Sequence, residues 1–82
     1  ESLAEMFHLT LAVEDRPGVI SDVTLTVGEM GINIVDLELV HPLESGQGLL
    51  RLMIDGEDDA KRAEKALRDK DYRVTLSRVL GE

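Results

Sequence analysis

An α+β sandwich built in the order β-α-β-β-α-β is predicted for this 82-residue chain, and three features of its sequence predict it. Residues 6–13 alternate between two faces, the period of a strand with one buried face, and 49–55 read as a further strand. Residues 19–30 and 57–67 repeat their apolar positions every three or four residues, the period of a helix lying on a core. Glycine, proline and short polar clusters separate these stretches at each change of period.

In the first strand, over 6–13, Phe7, Leu9, Leu11 and Val13 point one way and His8, Thr10 and Ala12 the other. Glu14-Asp15-Arg16-Pro17-Gly18 ends the alternation, and Val19, Ile20, Val23, Val27 and Met30 then share one face of a helix. Gly31 is the residue type that closes helices in a left-handed conformation. A second strand is expected over 32–40, with Val35, Leu37 and Leu39 on a face opposite Ile34, Asp36, Glu38 and Val40. Pro42, Ser45, Gly46 and Gly48 mark 41–48 as a hairpin loop into the third strand, 49–55.

The second helix begins near Gly56, where Glu57, Asp58 and Asp59 suit the positive end of the helix dipole. It buries Ala60, Ala63, Ala66 and Leu67, and its solvent side pairs Glu57 with Lys61, Asp58 with Arg62 and Glu64 with Arg68 in the favourable i,i+4 order. The last strand, 72–80, turns Tyr72, Val74 and Leu76 inward. This order, joined by right-handed crossovers, is the ferredoxin-like βαββαβ sandwich: a four-stranded antiparallel sheet with both helices on one face. It places the first and third strands in the centre and the second and fourth at the edges. One domain over 6–82 accounts for the pattern, because a chain this short buries only about 60% of its unfolded surface and supports one core. Residues 1–5 read as linker, and the absence of an initiator Met suggests a piece of a larger protein.

Nine basic against seventeen acidic residues leave a net charge of -8, which repels phosphate backbones and anionic lipid. Nucleic acid is therefore not an expected partner. Without cysteine there is no disulfide framework or thiolate metal site, and no apolar run approaches the roughly 20 residues of a membrane span. A cytoplasmic protein without cofactor is the expectation. His8 and His41 lack further ligands at metal-binding spacing.

The sandwich hosts several functions, and the residues exclude some. An RNA-recognition domain stacks bases on exposed aromatics of its central strands, whereas His8, Thr10, Ala12, Leu49, Arg51 and Met53 occupy those positions here. A metal carrier needs paired cysteines in its first loop. A small phosphatase could use Arg16 and Asn33, but the glycine-rich cradle is missing.

What remains is the turn Asp15-Arg16-Pro17-Gly18-Val19, with Gly31-Ile32-Asn33-Ile34 after the helix. Pro17 loses nothing by its missing N–H at a helix start, and Gly18 permits close backbone approach. The first-turn N–H groups there either seat a carboxylate or belong to a turn that only shapes the passage from strand to helix.

These two segments resemble those of the ACT domain family of amino-acid-sensing regulatory modules, and the likeness extends over nearly the whole chain. The resemblance implies a regulatory domain that is not itself an enzyme, gives feedback control of an attached catalytic domain, and binds a free amino acid at a dimer interface. It implicates Asp15, Arg16, Pro17, Gly18, Val19, Asn33 and Ile34 in that site. Serine-sensing relatives resembling the tail of phosphoglycerate dehydrogenase carry a His two residues before an Asn in this turn, where this chain has Val13 and Asp15. The stretch from His41-Pro42 to Leu52 is more similar to ACT domains of prephenate dehydrogenases, which favours tyrosine. A homodimer is expected through strand 32–40, whose backbone holds no Pro, Lys or Arg to block pairing. A ligand-free dimerisation module is the alternative.

Overall fold

The computed structural model describes residues 5–14, 18–40 and 47–79. Six elements follow in order: β1 (Met6–Glu14), α1 (Val19–Glu29), β2 (Ile34–Val40), β3 (Gln47–Asp55), α2 (Glu57–Asp69) and β4 (Arg73–Arg78). The strands form one antiparallel sheet in the order β2-β3-β1-β4, with β1 and β3 central as the crossovers require.

The alternation in β1 decides which face is covered. Phe7, Leu9, Leu11 and Val13 are buried together with Leu50, Leu52 and Ile54 of β3 and Val74 of β4. Onto them α1 sets Val19, Val23 and Val27, and α2 sets Ala60, Ala63 and Leu67. Each fully buried leucine or isoleucine contributes about 1.5–3 kcal/mol relative to exposure. The other face stays open: His8 stands beside Met53 and Ser77, and Thr10 beside Arg51 and Thr75.

β2 departs from the expected pattern. It begins at Ile34, two residues later than the 32–40 range, and Ile32 is buried just before it. Ile34 pairs with Ile54 and Asp36 with Met53, so Val35 is an extra residue in a β-bulge. A bulge puts two consecutive residues against one partner. Ile34 therefore joins Leu37 and Leu39 on the core side, and Val35 leaves that face, the reverse of the simple alternation. Ile34 and Leu39 pack on the core, while Val35 and Leu37 remain 44% and 41% exposed along the sheet edge.

On α2 the Glu57–Lys61 and Glu64–Arg68 pairs form at 3.1 and 2.9 Å, but Arg62 pairs with Asp59 at 2.9 Å instead of with Asp58. Arg62 also donates to the Met30 carbonyl at the end of α1, at 3.1 Å, and the i,i+3 partner suits a side chain drawn toward that neighbour. The expected fourth strand, 72–80, is shorter at both ends. Tyr72 precedes it, its N–H bonded to the Leu67 carbonyl at 3.1 Å, and Leu80 lies outside the described residues. The 41–48 hairpin loop shortens too: Gln47 and Gly48 belong to β3, and 41–46 lie outside the described residues.

Candidate functional site

Gly18 caps α1 with φ +92°, and no side chain caps the helix there. Only glycine adopts this conformation without penalty. Its carbonyl accepts from the Asp22 N–H at 2.9 Å, and Val19, the first helical residue, is buried in the core. The helix thus opens with backbone donors at its positive end. Asp15, Arg16 and Pro17 lie outside the described residues, and α1 itself starts two positions beyond Pro17.

The second segment lies at the other end of α1. Gly31, with φ +78°, follows the helix; Asn33 is exposed, and Ile34 packs partly buried against the core. The separation is large by two measures. The 11 residues of α1 span about 16 Å. In the sheet, Ile34 shares a row with Ile54 and Phe7, whereas the chain reaches Gly18 from Glu14, seven residues and about 23 Å further along β1. One copy of the chain therefore does not bring Gly18 and Val19 together with Asn33 and Ile34. It holds two half-sites, one at each end of one helix.

A polar cluster that the sequence reading missed joins α1 to the α2–β4 junction. Asp22, in the first turn of α1, accepts from Lys70 Nζ at 2.7 Å and from the Tyr72 hydroxyl at 2.6 Å. Lys70 also donates to Thr26 Oγ1 at 3.1 Å. The Lys70 ammonium, and secondarily the Tyr72 hydroxyl, hold the Asp22 carboxyl below its ordinary value. Partners 48 and 50 positions away leave no local signal in the sequence.

On the open face, His8, Asp36, Glu38, Arg51 and Met53 line a shallow hollow of about 110 Å³. Arg51 and Glu38 face each other across β3 and β2 at 3.4 Å, both solvated, and such pairs contribute little. Among the described residues no three His, Cys, Asp or Glu side chains are grouped to hold a metal ion, and no helix is long and apolar enough to cross a membrane.

Fold and site together define a small ferredoxin-like module with positive-φ residues at the ends of both helices and a bulge along one sheet edge. The chain belongs to the ACT domain family, whose sequence profile matches residues 8–71. It is thus a regulatory domain by family. It is 32% identical over 66 residues to the prephenate dehydrogenase of Bacillus subtilis (strain 168), a match covering 80% of this chain and 18% of that protein. The chain therefore spans under a fifth of that relative. Among solved structures, the ACT domain of prephenate dehydrogenase from Bacillus anthracis superposes with a TM-score of 0.76 at 28% identity, over 83% of this chain and 99% of that one. The regulatory subunit of aspartate kinase from Thermus thermophilus shares the fold, with a TM-score of 0.75 at 19% identity over 88% and 50% of the two chains.

Proposed function

We infer that this domain senses a free amino acid as a homodimer and passes the signal to an attached biosynthetic enzyme. The observation that carries this reading is the separation of the two half-sites. β2 starts near the C-terminal end of α1 and runs back toward the level of Gly18. If two copies pair antiparallel along β2, the start of one copy's β2 lies at the end of the sheet where the other copy's α1 begins. The two-fold axis reunites what one chain keeps apart, giving two equivalent sites per dimer. In each, backbone N–H groups at the start of α1 receive the α-carboxylate. Asn33 of the second copy, with Asp15, takes the α-amine, and Arg16 and Pro17 complete the turn.

Tyrosine is the first ligand to test, because a relative at 32% identity and a solved structure at 28% identity are a prephenate dehydrogenase and the ACT domain of one, and an attached enzyme of that type is the favoured recipient of the signal. Ligand can shift that enzyme only by binding one of its states more tightly. The test is a set of thermal melts with each free amino acid, since a ligand of the folded state raises the midpoint in proportion to ln(1 + [L]/Kd). Tyrosine is expected to raise it. If none of the twenty does, the domain is a dimerisation module and the sensing role is lost.

A further inference from the structure

We propose that α1 is a displaceable rider, hinged at both ends and latched to α2, which mechanically links the two ligand sites of the dimer. The latches, hinges and packing stand on the geometry of one chain; the link between sites rests on the half-site reading above.

Packing distinguishes the two helices. α2 presents Ala60, Ala63 and Leu67 inward, its two alanines let it sit close to the sheet, and it has β4, β1 and β3 as near neighbours along its backbone. α1 presents Val19, Val23 and Val27, larger side chains that hold its backbone further off, and its near neighbour is α2. A polar clamp from the α2 side fixes each end of α1. Near the N-terminal end, Asp22 is bonded to Lys70 and Tyr72 at 2.7 and 2.6 Å. At the C-terminal end, the Met30 carbonyl is bonded to Arg62 at 3.1 Å. Beyond each clamp lies a glycine in the left-handed region, Gly18 with φ +92° and Gly31 with φ +78°; α2 is flanked likewise by Gly56 and Asp71, so it is the packing and not the flanks that sets α1 apart. Val19, Val23 and Val27 keep α1 on the core, but an element whose tertiary polar contacts are exposed or only part-buried and whose ends are permissive opens at lower free energy than the strands beneath it.

The position of α1 gives this freedom a consequence. Its N-terminal end belongs to one site of the dimer and its C-terminal end leads, through Gly31 and Asn33, to the other. A ligand that draws in the start of α1 also displaces the start of β2 in the second site, so the two sites are coupled.

Hydrogen exchange resolved by element tests the rider on wild type, Asp22→Ala, Arg62→Met and the double variant. Wild-type α1 amides are expected to exchange before those of α2, β1 and β3, and the double variant is expected to speed α1 by about tenfold or more while leaving the other three unchanged. Equal acceleration in all elements, or none in α1, overturns the proposal. Titration with L-tyrosine is the second arm. If L-tyrosine binds, two unequal affinities per wild-type dimer are expected, converging in the double variant. Two identical, independent sites in wild type overturn the link. A wild type whose α1 behaves as a rider but which L-tyrosine neither stabilises nor protects rejects tyrosine sensing and the link with it, and leaves the rider standing.

Discussion

At Gly18 the backbone conformation, not the space around it, limits what can be substituted. A Cβ added there meets nothing within 4 Å, yet φ is +92°. Gly18→Ala is therefore expected to cost about 1–2 kcal/mol through the left-handed conformation alone, measured by denaturant unfolding. A loss near zero would mean that the turn relaxes to another conformation. Asn33 behaves differently. It is exposed and lies outside regular structure, so Asn33→Ala should leave stability within about 0.5 kcal/mol. If its side chain bonds a ligand's charged amine, the same change weakens binding by about 1–3 kcal/mol. Calorimetric titration beside the unfolding curve separates the roles: stability lost with affinity kept would make Asn33 a turn-shaping residue only.

The helices and central strands were legible in the sequence because each has a buried face with an unbroken period. Every inward residue expected in β1 is buried, as are the three valines of α1. In β2 the faces of Leu37 and Leu39 against Asp36, Glu38 and Val40 are as expected, and only Ile34 and Val35 exchange, because a bulge adds one residue without altering composition. Ile34, Val35, Leu37, Leu39 and Val40 fit either register, and only pairing with Met53 and Ile54 chooses. Leu25 lies opposite the buried valines of α1 and is 62% exposed. At about 100° per residue, however, Asp22 and Thr26 mark the flank of α1 toward α2, Ile20 and Thr24 the flank toward β2, and Leu25 falls outward. It therefore lends no support to pairing along β2. The turn segments stood out by residue type, but nothing in a linear pattern told that α1 would hold them apart. Nor did the sequence disclose the Asp22 clamp, whose pH dependence has a definite sign. A carboxyl held below its ordinary value of 3.8 stabilises the fold above that pH and loses the contribution as pH falls through its lower native value. Between pH 5 and 2, roughly the span over which a paired carboxylate is titrated, the melting midpoint of wild type should fall more steeply than that of Asp22→Asn. Parallel curves would show that the clamp does not couple to folding.

At the scale of the whole molecule, the question is what covers the β2 edge. Ile34–Val40 ends the sheet, and natural proteins seldom leave such an edge open without a blocking residue. Exposed Val35 and Leu37 lie along it, and both gain by burial against a second copy. Asp36 opposes pairing in two ways. Its Oδ1 accepts from the Leu37 N–H at 2.9 Å, occupying an edge-strand donor, and across an antiparallel two-fold its charge and that of Glu38 approach their counterparts. Like charges set opposite one another in a ladder are destabilising. Dimerisation thus sets apolar burial and main-chain bonds against carboxylate repulsion, and only the repulsion is screened by salt. Two outcomes follow for sedimentation at micromolar concentration. The unmodified domain should be a dimer whose association strengthens from about 0.05 to 0.5 M salt, the range over which the Debye length shrinks severalfold. Asp36→Ala should tighten association at low salt, by about 0.5–1 kcal/mol for each like-charge contact removed, and flatten the salt dependence. A monomer under all conditions would leave each half-site alone at its own end of α1, and no shared site could form.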